Sequence, residues 1–159
     1  MATAITWPET TARPRNDSSW WQACWLITRN PQLKGLVQRL PGFLHADEQG
    51  EVDFELRKLS EAFRALDAYR AAWKKYEQTH YPPRDDDAYE RWADAGPKLG
   101  DDEPGRIASA IAPMSRTEQG RLRLLATLGD ERVEFCTGDL SGWDDQGHAL
   151  IRDWMSLLT

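Results

Sequence analysis

The sequence is poor in cysteine and histidine, which limits the kinds of protein it can encode. Its 159 residues include two cysteines, Cys24 and Cys136, and three histidines. Two cysteines cannot build the disulfide framework that holds small secreted proteins together. Both lie among apolar neighbours, where a buried free thiol is common. This pattern favours a reduced, intracellular protein.

Long apolar runs are also missing. No window reaches the ~18 apolar residues that a transmembrane helix requires. Met1 is followed by a stretch rich in threonine, proline and arginine, without an apolar segment of signal length. We therefore expect a cytoplasmic protein that does not interact with membranes.

Familiar catalytic and cofactor motifs are absent. There is no GxGxxG, no GxxxxGK[ST] and no HExxH sequence. The histidines lie far apart and neither cysteine is near one, so the spacing predicts no metal site and no cofactor. Carboxylates are the commonest potential catalysts, and His148 follows Asp144 and Asp145 closely. An enzyme with a carboxylate and histidine site that no motif marks is therefore kept as an alternative, with no catalytic residue assigned.

Positive charge is in short supply. The net charge is −6 and the isoelectric point is near 5.1, a balance that disfavours a general nucleic-acid binder. The charge is uneven, because residues 1–44 carry five basic groups against two acidic ones. Two short helices joined at Asn30 would resemble a helix-turn-helix in layout. The alternative of a nucleic-acid module therefore uses the basic residues of 13–39, with Arg29, Lys34 and Arg39 as contacts.

Tryptophan, in contrast, is abundant. The chain has eight, and tryptophan both fills cores and anchors interfaces. Trp20, Trp21 and Trp25 fall on a short predicted helix over 18–28 that is apolar on two faces. Such a helix is either buried centrally or forms half of an interface. A homo-oligomer through residues 18–28 is one possible outcome.

The strongest periodic pattern runs from residue 53 to residue 79. Its apolar residues recur at three- and four-residue steps, and no glycine or proline interrupts them. We predict a helix of about 40 Å, capped by Asp53. Its stripe extends from Leu56 to Tyr76, which is wide enough to need several partners. The helix over 18–28 and the terminal helix over 144–158 are the predicted partners.

Local signals divide the rest of the chain into short helices. Asn30-Pro31 starts a second helix, Gly96-Pro97 closes one that carries Tyr89 and Trp92, and Pro104 opens another. A capping box at Ser115–Glu118 favours a helix up to Gly129, although a hairpin with strands over 121–128 and 132–137 is the rival.

These signals together predict a mainly α fold. We expect a single compact domain of six or seven helices around one long central helix (53–79), with at most a short β-strand or hairpin near 121–137. Residues 1–17 are predicted to be a flexible arm, and residues 18–159 a single helical domain.

The function that these features favour is non-catalytic protein–protein interaction or regulation. Residues 81–105 carry eight acidic groups against three basic ones, and so suit a protein partner with a basic surface. The acidic segment and the tryptophan-rich helix supply the predicted contact residues: Asp85, Asp86, Asp87, Glu90, Asp101, Asp102, Glu103, Trp20, Trp21 and Trp25.

Overall fold

Seven α-helices and one β-hairpin make up the part of the chain that this computed structural model describes, which is residues 5–9, 14, 18–130, 132–135 and 142–158. The helices are α1 (Ser19–Arg29), α2 (Pro31–Gln38), α3 (Leu56–Thr79), α4 (Asp86–Asp94), α5 (Glu103–Ile111), α6 (Arg116–Thr127) and α7 (Asp145–Leu157). The hairpin pairs β1 (His45–Ala46) with β2 (Val52–Asp53). The predicted mainly α fold around a long central helix is confirmed.

The core lies around the first half of α3. Leu59, Phe63 and Leu66 are fully buried there, together with residues of α1, α2, α5 and α6. Burying side chains of this size is the main favourable term in folding. None of the described helices combines the length and apolar character that a membrane crossing requires.

The main partners of α3 differ from those expected. α3 packs chiefly on α5 and α6, while α1 makes a smaller contact with it and α7 packs on α1 and α6. One reason is a close backbone approach after α6. A Cβ atom added to Gly129 would stand 2.8 Å from the Cβ of Leu56 and 2.9 Å from the hydroxyl of Ser60. Such closeness depends on a small residue, which the apolar periodicity does not reveal.

The long helix also begins later than predicted. α3 starts at Leu56, with Glu55 at its N-cap position and no side-chain cap. Asp53 does not cap the helix, because its backbone pairs with His45 in the hairpin and its carboxylate lies 3.1 Å from the His45 imidazole. The alternation of buried and exposed residues around Val52 belongs to this strand.

The region around α6 is helical, as the capping box indicated. Both hydrogen bonds of the Ser115–Glu118 box are present. The helix excludes a strand over 121–128, and residues 132–135 carry no strand either. Residues 136–137 of the rival hairpin lie outside the described residues. The hairpin that does form is near residues 45–53, away from the place predicted for one.

Residues 5–9 of the predicted arm lie against the hairpin. The Thr6 amide donates to the Gly50 carbonyl at 2.9 Å, and the Val52 amide donates to the Thr6 carbonyl at 2.8 Å. The rings of Trp7 and Phe54 are 6.3 Å apart. Most of the remaining arm lies outside the described residues.

Candidate functional site

The second half of α3 leaves the core and packs against α4 instead. No residue of α3 beyond Leu66 is buried, and α4 has no buried residue at all. The two helices meet through five aromatic side chains, which we call the aromatic cluster: Tyr69, Trp73, Tyr76, Tyr89 and Trp92. Only Tyr69 of these also packs on the core. The cluster is therefore a separate apolar unit beside the main core.

The rings of the cluster are packed in defined geometries. Trp73 lies 5.6 Å from Trp92 and 5.4 Å from Tyr76, both edge to face. Tyr89 lies 5.3 Å from Trp92. These are the distances and tilts at which aromatic pairs attract beyond simple burial. A Cβ atom on Gly96 would overlap the Trp73 ring, so glycine is needed where the chain leaves α4.

Two hydrogen bonds fix α4 against the end of α3. The Tyr76 hydroxyl donates to the Trp92 carbonyl at 2.7 Å. The Trp92 indole N–H donates to the His80 carbonyl at 2.6 Å. Because both bonds join the two sides of the turn, α4 is held in one orientation.

An open cleft of about 450 Å³ lies between the two helices. Tyr89 stands at its edge and is 48% exposed. The Trp73 indole N–H is buried, and no described residue accepts a hydrogen bond from it. The cleft, which we call the aromatic cleft, is lined by Tyr69, Arg70, Trp73, Lys74, Glu77, Tyr89, Trp92 and Ala93. Its walls thus combine apolar ring faces with charged rims, as protein contact sites do.

The first acidic group predicted from the sequence lies on α4, beside this cleft. Asp85 caps the helix, since its carboxylate accepts from the Ala88 amide at 3.2 Å. Asp86, Asp87 and Glu90 are exposed, and their carboxylates form no ion pair with any described residue. These three charges are consequently available to a partner.

The second acidic group, residues 101–103, makes contacts that stabilise α5. Asp102 caps α5 by accepting from the Gly105 amide at 3.1 Å. Glu103 pairs with Lys58 of α3 at 2.7 Å, and this hydrogen bond lowers the pKa of Glu103 and raises that of Lys58. The Asp101 carbonyl accepts from Arg106 at 2.9 Å. The two acidic runs, which look alike in sequence, therefore differ in ion pairing: Glu103 is paired with Lys58, whereas no carboxylate of the first run is paired with a described residue.

The tryptophans of α1 are mostly used inside the chain. Trp25 is 5% exposed, and Trp20 stacks on Phe54 with 5.8 Å between the rings. Trp21 is 44% exposed and is the one indole of this helix that can contact another molecule over much of its surface. Next to Trp25, burial raises the pKa of the Cys24 thiol to about 12.

The three basic residues of the nucleic-acid alternative have different neighbours. Arg29 pairs with Asp153 at 3.2 Å and Arg39 pairs with Glu118 at 3.0 Å. The ammonium group of Lys34 lies 5.3 Å from the centre of the Trp7 ring. Two of the three charges are thus matched by carboxylates. Arg13 and Arg15 lie outside the described residues.

The groups of the enzyme alternative have structural or solvent-facing positions. His148 is exposed on α7, and the Asp144 carboxylate caps the same helix by accepting from the Gly147 amide at 2.9 Å. This hydrogen bond lowers the pKa of Asp144. Within the described stretches, no group of three or more His, Cys, Asp or Glu side chains is placed to hold a metal ion.

Sequence patterns predicted the two helices that form the aromatic cleft, but not the cleft or the contact between them. The predicted stripe of the long helix extends to Tyr76, and a predicted short helix carries Tyr89 and Trp92. The signal that joins them is the short Pro82-Pro83 connection, which brings consecutive helices back against each other.

Comparison with known proteins gives no match: no family model, no curated protein and no solved structure corresponds to this chain. No relative therefore lends it a function, and its own geometry has to supply one.

Proposed function

We propose that the protein is a non-catalytic interaction module that binds a partner protein in the aromatic cleft. The observation that carries this proposal is a cluster of aromatic rings that stands outside the core and stays open, with Tyr89 48% exposed beside a cleft of about 450 Å³. Rings that only stabilised the fold would gain most by being covered. Aromatic side chains in open pockets are typical anchor points of protein interfaces.

The charges around the cleft favour a partner with basic residues. Asp86, Asp87 and Glu90 line the exposed side of α4, and Arg70 and Lys74 stand on the α3 wall. A segment that fits has an apolar or aromatic anchor for the cleft and basic residues on its α4 side. Opposite charges at the rim steer association and set orientation more than they add affinity.

A peptide selection tests the proposal directly. Random peptides displayed on phage are selected on the immobilised protein, and the enriched sequences are made as synthetic peptides. We expect an aromatic or large aliphatic residue flanked by lysine or arginine. Affinity should fall about tenfold or more in Tyr89→Ala and Trp92→Ala, because interface anchors carry a large share of the binding energy.

Trp21→Ala is the matched control, since it removes an exposed tryptophan from a different surface. It should leave the affinity unchanged. Replacing Asp86, Asp87 and Glu90 together by their amides should weaken binding at low salt and reduce its salt dependence. Selected peptides that bind Tyr89→Ala as well as the wild type, or that lose affinity in Trp21→Ala instead, would refute the aromatic cleft as the contact site.

A further inference from the structure

A buried arginine outside the aromatic cleft has more hydrogen-bond donors than the protein satisfies. Arg121 of α6 is 8% exposed. Its Nη2 donates a hydrogen bond to the Asp144 carboxylate at 3.0 Å, and its guanidinium lies over the Trp143 ring at 5.5 Å. No other polar contact joins it to the described residues. A guanidinium has five N–H donors. The Nε and Nη1 groups of Arg121 have no acceptor among the described residues and are not fully buried, so an acceptor from outside the chain can reach them.

A buried acceptor without a donor lines the same site. The side-chain oxygen of Gln32 has no hydrogen-bond partner among the described residues, and its amide nitrogen donates to the Asp144 carboxylate at 3.5 Å. Gln32 and Arg121 both line a pocket of about 170 Å³ between the α1–α2 corner and α7. This equals the liquid volume of roughly six water molecules.

The rest of that pocket is largely apolar. Pro31, Leu33, Ala149 and Leu150 contribute to its wall. An apolar pocket with a few convergent polar groups is the usual form of a small-molecule site. The charge of Arg121 is balanced by Asp144, and that of Arg29 by Asp153. Arg121 therefore offers a ligand its remaining N–H donors rather than an unpaired charge.

We propose that this pocket binds a small aliphatic amino acid or a close analogue. The carboxylate accepts hydrogen bonds from Arg121, the amino group donates to Gln32 Oε1, and the aliphatic side chain packs against Leu33 and Leu150. The site is separate from the aromatic cleft, and the proposal does not depend on the proposed function. The shared chemistry is a carboxylate with a neighbouring N–H donor, which a free amino acid or the C-terminal residue of a chain can offer.

Titration of the ¹⁵N-labelled full chain with L-leucine, followed by amide chemical shifts, tests the site. We expect saturable shifts at residues 29–33 and 146–150. L-leucinamide, which lacks the carboxylate, and 4-methylpentanoate, which lacks the donor, should each bind about tenfold more weakly or worse, since each leaves a buried polar group unpaired. N-acetyl-L-leucine distinguishes the sources: binding as tight as that of leucine indicates a chain terminus, and weaker binding a free amino acid.

Two variants remove one partner each. Arg121→Met and Gln32→Leu should each weaken leucine binding about tenfold or more, and Arg39→Met, which changes an exposed arginine outside the pocket, should not. Gln32→Leu keeps the test decisive if Arg121→Met fails to fold. Absence of saturable shifts in the wild type at 10 mM of each ligand, or leucine affinity unchanged in Gln32→Leu, would overturn the proposal.

Discussion

The two halves of α3 use the same kind of sequence in different ways. The first half, up to Leu66, places its apolar side chains in the main core against α5 and α6. The second half places Trp73 and Tyr76 against Trp92 of α4, and neither of them is buried. One continuous apolar stripe thus serves a core at one end and a half-open surface at the other.

The difference lies in what covers each half. α5 and α6 bring fully buried aliphatic side chains such as Ile107 and Leu122. α4 brings two aromatic residues on a helix with exposed acidic groups. Burial supplies the stability of the first half, whereas the second half keeps contact area that a partner can still cover. The comparison predicts unequal responses to substitution.

The largest effect is expected for Phe63→Ala. Phe63 is fully buried, and Arg123 stacks on its ring at 4.6 Å. Truncation should lower the free energy of unfolding by about 3–5 kcal/mol. Urea denaturation followed by circular dichroism measures the loss. Trp92→Ala, in the second half, should cost clearly less, and an equal or greater loss in Trp92→Ala would break the distinction between the two halves.

A smaller and more local effect is expected for Gly96→Ala. The added methyl group overlaps the Trp73 ring and should displace α4 at a cost of about 1–3 kcal/mol. Hydrogen exchange should accelerate in α4 and leave the first half of α3 unchanged.

Gly35→Ala is the matched control, because Gly35 lies in α2 with open space around its Cα. Alanine there should stabilise the helix by roughly 0.5–1 kcal/mol. If hydrogen exchange in Gly96→Ala accelerated throughout α3, the aromatic cluster would have to be part of the main core.

Loss of one hydroxyl in each half gives a finer comparison. Ser60 is buried and donates to the Ala126 carbonyl at 2.9 Å, so that Ser60→Ala leaves a buried acceptor with one bond fewer. We expect a loss of about 1–3 kcal/mol. Tyr76→Phe removes the bond to the Trp92 carbonyl, which is only partly buried, and should cost about 0.5–1.5 kcal/mol. Melting temperatures of the two variants in the reverse order would contradict this difference.

The sequence predicts the helices better than their contacts. Periodicity and local signals such as the Ser115–Glu118 box depend on neighbouring residues, and these predictions were confirmed. The predicted start of α3 at Asp53 was wrong because the backbone of Asp53 pairs with His45, which lies eight residues earlier in the chain. Strands of two residues are too short to produce a recognisable alternation of apolar and polar residues in the sequence.

The candidate site shows the same limit more strongly. The acidic runs at 85–87 and 101–103 have similar composition. Glu103 nevertheless pairs with Lys58 of α3, while Asp86 and Asp87 form no ion pair with any described residue. Pairing depends on which helices become neighbours in space. Composition could therefore identify an acidic segment but not which of its charges stay available.

The smallest effect expected concerns this difference in charge pairing. The hydrogen bond from Lys58 lowers the pKa of Glu103, so the pair stabilises the fold above the usual carboxylate range and this contribution is lost as the pH falls through the folded-state pKa. Glu103→Gln should lower the urea midpoint slightly at pH 6.5 and low salt. The difference from wild type should shrink in 1 M salt and at pH 3, since screening and protonation both remove the attraction.

Glu90→Gln on α4 is the matched control and should leave the midpoint at pH 6.5 unchanged, because Glu90 has no ion-pair partner among the described residues. A midpoint lowered equally by both substitutions would show that the charges of α4 are engaged in the fold, and would leave fewer of them for a basic partner.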